Sequence, residues 1–147
     1  MTTWSLRPAT AADVEPVAEL RAVVLRADLE RLGRFDEHRV RQRLRDGFEP
    51  QHTSIIVVDG AFAGSVAMRP ADDGRRLEHF YLAPARQGQG LGSAVLRTVL
   101  DQERDTVRLN VLQGSKARRL YERHGFTVER EDPIDVWMVR RSGASAR

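Results

Sequence analysis

The sequence contains no cysteine in 147 residues. That excludes disulfide bonds, thiolate catalysis and cysteine-ligated zinc, and it agrees with a cytoplasmic protein. Lysine is nearly absent as well. Lys116 is the only one, so arginine supplies almost all of the 24 lysine-plus-arginine positions. No apolar run approaches the ~18 residues of a membrane-spanning helix, and no membrane segment is expected. The opening residues, MTTWSLRPATAAD, lack a basic stretch followed by an apolar one, so no secretory signal is expected. The four histidines, His38, His52, His79 and His124, are scattered without ligand spacing. With no cysteine to help them, no metal site is expected. Internal repeats and low-complexity linkers are also missing.

What is present suits one globular domain, expected over residues 1–141, with a small polar tail at 142–147 expected to fray. Apolar residues make up 41 % and charged residues 31 %. The net charge of +3 and a sequence pI of about 10.1 favour anionic partners such as phosphates, carboxylates or nucleic acid. The 21 acidic residues nearly balance the basic ones, so most individual arginines read as solvated surface.

Periodicity orders the chain as β-α-α-β-β-β-α-β-α-β-β. This is an α+β domain with a mixed, mostly antiparallel sheet of about six to seven strands flanked by about four helices. WSLRPA reads as a first strand, followed by a helix from Thr10 with Asp13 as its capping partner. Val14, Val17, Ala18, Val24, Leu25, Leu29 and Leu32 follow its inward stripe. DEHRVRQRLRDGF reads as a second helix with Val40, Leu44 and Phe48 inward. TSIIVVDG and AFAGSVAMRP form a hairpin through Asp59-Gly60. RRLEHFYLAP is a strand closed by Pro84, and TVRLNVL is another. The segment from about Leu91 to Glu103 is a helix, and SKARRLYERHG is a short helix stopped by Gly125. FTVERE and IDVWMVRR pair at the end.

Between a strand and a helix lies LAPARQGQGLGS, with glycines at 88, 90 and 92. It is not a complete dinucleotide fingerprint, because Ser93 takes the place of the last glycine, and no Walker A lysine follows. The physics still points to an anion. A helix start leaves backbone N–H groups unpaired and carries partial positive charge, and glycine lets a phosphate approach the backbone. Arg86 at the edge would add to that field.

Gln87, Gly90 and Gly92 match the Q/R-x-x-G-x-G/A motif of the GNAT superfamily of acetyl-CoA-dependent N-acetyltransferases. ARRLYERHGF, 117–126, resembles that superfamily's A-x-x-L-Y-x-x-x-G-F segment. The chain is similar to the family over roughly Trp4 to Arg140. The resemblance implies that acetyl-CoA lays its pyrophosphate on the backbone of Gly88, Gln89, Gly90, Leu91, Gly92 and Ser93, next to Gln87. It further implies that the pantetheine arm pairs with the backbone of Phe80, Tyr81 and Leu82. The family's asparagine position holds Gly114, which leaves Ser115 or Lys116 to replace its contact. Tyr121, by the same resemblance, is the general acid toward the thioester sulfur.

Transfer to an amine also needs a proton acceptor. Glu78 is the candidate. Strand alternation sets it on one face with Phe80 and Leu82, where an apolar setting would raise its pKa. Arg75 or Arg76 would neutralise it if it were structural, and His79 is the competing base. The acceptor site is expected around RADLERLGRFDEHRVR, with an exposed Phe35 and arginines suited to a substrate carboxylate or simply to solvent. The implied activity is acetyl transfer from acetyl-CoA to a primary amine, foremost of a small molecule. Acceptors on proteins or aminoacyl-tRNA, and a non-catalytic acetyl-CoA-binding regulatory module, are the alternatives. The arginines are too dispersed to make nucleic acid a leading partner, no membrane partner is expected, and a homodimer is left open.

Overall fold

A computed structural model describes residues 2–143. Most of the 142–147 tail lies outside the described residues. Seven strands form a sheet in the order β1-β2-β3-β4-β5-β7-β6. They are β1 (Trp4–Pro8), β2 (Thr53–Val58), β3 (Ala61–Ala71), β4 (Gly74–Leu82), β5 (Val107–Leu112), β6 (Thr127–Glu131) and β7 (Asp135–Arg140). The helices are α1 (Val14–Arg31), α2 (Glu37–Gly47), α3 (Leu91–Asp101) and α4 (Ala117–Arg123). The expected α+β order is thus present, with α3 ending short of Glu103.

The chain divides into two compact units. One comprises the residues up to Arg69 with Glu78–Arg86; the other comprises Pro70–Leu77 and the residues from Gln87 onward. In the first unit, β1 pairs antiparallel with β2, and β2 with β3 around the Asp59-Gly60 turn. Its core gathers Val17, Ala18 and Leu20 of α1, Leu44 of α2, Ile55 of β2 and Tyr81 of β4. Each large apolar side chain removed from water here contributes about 1.5–3 kcal/mol. Leu20 and Ala22 are buried although the expected stripe of α1 omits them. Helix α1 is entered through a 3-10 turn at Ala11–Asp13. There Thr10 N–H donates to Asp13 Oδ2 at 2.8 Å, the capping partnership expected from the sequence. Arg7 holds the same carboxylate through two hydrogen bonds.

In the second unit, β5 pairs antiparallel with β7, and β7 with β6. Val107, Leu109 and Val111 alternate inward along β5, opposite Arg140, Met138 and Val136. A parallel ladder joins β4 to β5 over Arg75↔Val107 and Arg76↔Arg108.

Candidate active site

Strand β4 does not keep the simple alternation expected of it. His79 has φ +50, a left-handed conformation rare for a residue other than glycine. Its carbonyl is fixed by Ser65 Oγ–H, which donates to it at 2.7 Å from β3. Next to this kink β3 and β4 come so close that a Cβ on Gly64 would run into the Tyr81 carbonyl oxygen, so no other residue fits there. The kink cancels the opposite-face placement of Glu78 and His79. Glu78 Oε2 lies 3.9 Å from His79 Nε2.

Glu78 is paired with Arg69, whose Nε–H donates to it at 2.8 Å. The sequence pointed instead to Arg75 or Arg76. Those two have other partners: Arg75 faces Glu103 at 3.7 Å, and Arg76 donates to Asn110. Burial is the main reason that the His79 imidazole is held below its usual pKa. Arg21 and Arg69 act in the same direction, while Glu78 and a backbone hydrogen bond at Gly47 oppose it. Tyr81 is buried, and burial pushes its phenol pKa up. Its oxygen accepts from Arg21 Nε–H at 2.9 Å, and His79 Nδ1 lies 3.3 Å away. Arg21 also donates to the Val40 carbonyl of α2.

Arg21 is a residue that sequence reasoning missed. A signal was available, because it sits four residues after Val17 and three before Val24, on the inward stripe of α1. The helix arginines considered for a substrate carboxylate are largely engaged with carboxylates of the chain. Arg41 pairs with Glu19, while Arg26 reaches Glu30 and Arg31 reaches Asp28; beyond that stretch, Arg45 pairs with Glu15. Phe35 is half-buried rather than exposed, and the Arg26 guanidinium stacks 4.8 Å over its ring.

In the second unit the glycine stretch opens α3 as expected. Gly88 and Gly90 have φ +76 and +83, and a Cβ at either would meet nothing within 4 Å. Glycine is therefore set here by backbone conformation, and the space outside the turn is open. Gln87 to Gly90 are exposed. Gly90 caps α3, and its carbonyl accepts from Ala94 N–H at 3.1 Å. The N–H groups of Leu91, Gly92 and Ser93 thus precede the first helical bond. No acidic residue occupies that first turn. This is the chemistry a phosphate requires.

Ser93 also makes a contact that sequence reasoning did not find. Its Oγ lies 2.8 Å from Nε2 of His124. His124 is buried at the end of α4, and burial, aided by Arg97, Arg123 and Arg140, keeps its pKa below the usual value. This bond ties the start of α3 to the helix that carries Tyr121. Tyr121 is 7 % exposed and packs edge-on to Phe126 with centroids 5.7 Å apart. Ser115 Oγ accepts from Ala117 N–H at 3.1 Å and so caps α4. Lys116 beside it is exposed. Among the described residues, no group of three or more histidine or acidic side chains is arranged to hold a metal ion. No helix among them is long and apolar enough to cross a membrane.

These features define a mixed-sheet α+β domain with an anion-receptive turn at the start of α3. Residues 50–128 match the acetyltransferase (GNAT) domain, and the chain belongs to that family, which makes it an acyltransferase. No curated protein matches it in sequence. Among solved structures, the PaiA N-acetyltransferase of Thermoplasma acidophilum, in complex with coenzyme A, is similar at a TM-score of 0.76 and 16 % identity. The match covers 95 % of this chain and 99 % of that one. The N-acetyltransferase of Staphylococcus aureus Mu50 gives 0.71 at 16 % identity, over 92 % and 99 % of the two chains. The N-acetylglutamate synthase of Neisseria gonorrhoeae, complexed with coenzyme A and L-arginine, gives 0.66 at 20 % identity. That match covers 96 % of this chain and 34 % of the synthase, so this chain spans about a third of its length. At these identities the likeness is one of fold.

Proposed function

We propose that this protein transfers an acetyl group from acetyl-CoA to the primary amine of a small molecule in the cytoplasm, by direct attack in a ternary complex. The observation that carries the reading is the start of α3. Two left-handed glycines with open space at their Cβ positions lead into α3, where three N–H groups precede the first helical bond and the first turn holds no acidic residue. Those N–H groups fit a pyrophosphate, and the backbone of Phe80, Tyr81 and Leu82 is assigned to the pantetheine arm. The fold is also that of proteins crystallised with coenzyme A. Pairing of Arg26, Arg31, Arg41 and Arg45 with carboxylates of the chain supports a small acceptor over a nucleic acid.

Acetyl-CoA supplies the activated acyl group. Glu78 takes the proton from the acceptor ammonium, directly or through one water, so that the amine attacks in its neutral form. Tyr121 gives its hydroxyl proton to the departing thiolate and regains one from the nitrogen as the amide forms. The balance is one amide, one thiol and one proton released.

Thiol release from acetyl-CoA, measured across a panel of small amines, lysine peptides and aminoacyl-tRNA, tests the reading. Turnover with a small amine, cut at least tenfold in Glu78→Gln at unchanged acetyl-CoA affinity, is expected. Turnover confined to peptides or tRNA would reassign the acceptor, and acetyl-CoA binding without any turnover would make the chain a binding module.

A further inference from the structure

Two side chains of β4 are able to take a proton from an amine, and the hydrogen bonds around them separate their roles. Resting on the transfer reaction above, we propose that His79 is a tautomer-locked positioning residue, pinned by Arg21 through Tyr81 and by Gly47, and that Glu78 is the proton acceptor.

The argument starts at Arg21, whose guanidinium donates and never accepts. Its Nε–H points at Tyr81 Oη at 2.9 Å, so the phenol oxygen is the acceptor. The phenol has one proton left to place. His79 Nδ1, at 3.3 Å, is its only other hydrogen-bond partner among the described residues. Were Nδ1 to carry a proton, two donors would converge on one oxygen and the buried phenol proton would have no acceptor. Leaving such a group unsatisfied costs about 1–3 kcal/mol. The satisfied arrangement is Tyr81 O–H donating to an unprotonated Nδ1.

The ring proton is then on Nε2. That nitrogen lies against the last residue of α2, 3.5 Å from where a Cβ on Gly47 would stand. The hydrogen bond between His79 and the Gly47 backbone favours the protonated ring. The Gly47 backbone is thus the group that Nε2 faces. Nδ1 is committed to Tyr81 of β4, and Nε2 faces the end of α2. The charged groups facing the ring are Glu78 on its own strand, Arg69 on β3 and Arg21 on α1, and burial keeps the ring neutral.

To act as a base, His79 would have to break the Tyr81 bond and accept charge beside two arginines. Glu78 takes a proton without breaking the Arg21–Tyr81–His79 series, giving up instead part of its pairing with Arg69. Its neighbour, at 3.9 Å, is a ring bonded to Tyr81 and packed against Gly47, and this ring forms a wall beside the carboxylate. The left-handed backbone of His79 makes that adjacency. The Arg21–Tyr81–His79 series thereby links the ring beside Glu78 to α1, while Arg69 of β3 holds the carboxylate itself.

The test reads the tautomer without turnover. Long-range ¹H–¹⁵N spectra of the free protein at neutral pH, with His79→Gln to assign the signals, are expected to show one neutral Nε2–H form. Tyr81→Phe, which removes the donor and almost no volume, is expected to give a mixture of tautomers. Any other wild-type form of His79, or an unchanged spectrum in Tyr81→Phe, overturns the proposal. With an active amine in hand, His79→Gln is expected to lower kcat by about 3- to 10-fold and to keep the acid limb of the pH–rate profile. A fall of about 100-fold or more with that limb gone would make His79 the base. If no amine is acetylated, the transfer reading fails, while the spectra still decide the tautomer.

Discussion

Tyr121 combines a buried ring with a hydroxyl assigned to the leaving thiolate, and one substitution separates the two. Tyr121→Phe keeps the edge-on packing against Phe126 and deletes the proton donor. Turnover with the best amine is expected to fall on the order of 10²-fold, the low end for general acid catalysis. The acetyl-CoA dissociation constant and the melting temperature are expected to move little, since one packed aromatic replaces another. Steady-state kinetics, calorimetry and a thermal melt on the same preparation check this. Parallel losses of activity and stability would make the hydroxyl structural. Of the individual residues, Glu78 was a candidate in the sequence because it lies in a largely apolar strand, and Tyr121 because it falls in a segment that resembles the GNAT motif. Arg21 did not, because an arginine in a helix of many arginines looks solvated until its distant partner, Tyr81, is known. The two residues stand 60 positions apart, and the intervening chain carries no local trace of the bond.

Elements were more legible than contacts. The Asp59-Gly60 hairpin, the Thr10–Asp13 cap and the helix opened by the glycine stretch all follow from local chemistry, and all are present. The kink in β4 was hidden because left-handed histidine is uncommon, so alternation put Glu78 and His79 on opposite faces. The Ser93–His124 bond was hidden for the same reason as Arg21: its partners are 31 residues apart. The start of α3 offers a clean substitution. A β-branched residue at Gly90, with φ +83, would strain the backbone and confound any binding result. Asparagine tolerates that conformation, so Gly90→Asn should cost only about 1 kcal/mol of stability. Its side chain would nonetheless enter the open space that the phosphates are assigned to fill. Acetyl-CoA affinity by calorimetry is expected to weaken about tenfold or more. An unchanged value would take the phosphates away from this turn.

Across the whole molecule, charge and pH act in one direction. Asp13 is held at about 2, first by its hydrogen bonds to Arg7, against an ordinary value of 3.8. A carboxylate whose pKa falls on folding stabilises the native state above its unfolded pKa, and that contribution is lost as pH falls from about 4 toward 2. His79 and His124 are held below their ordinary value of 6.5, chiefly by burial. The unfolded chain therefore takes up their protons first, and their effect is a loss of stability as pH falls below about 6.5. Denaturant midpoints at pH 7, 5 and 3 are expected to decrease in two stages. Asp13→Asn should reduce the second stage, to which Glu15, Asp36 and Asp132 also contribute, and cost about 1–2 kcal/mol at pH 7, where the cap and the Arg7 pair are both weakened. A flat profile between pH 7 and 5 would show that the two histidines are protonated in the folded protein. The exposed ion pairs of α1 and α2 should add little to either stage.

Lys116 stands exposed one residue ahead of α4, and no other side chain of the protein ends in a primary amine. Apart from the α-amino group, an amine-selective reagent therefore has a single place to attach. A fluorophore coupled there would sit at the mouth of the helix that carries Tyr121, a ready-made optical reporter for that helix that requires no engineered cysteine.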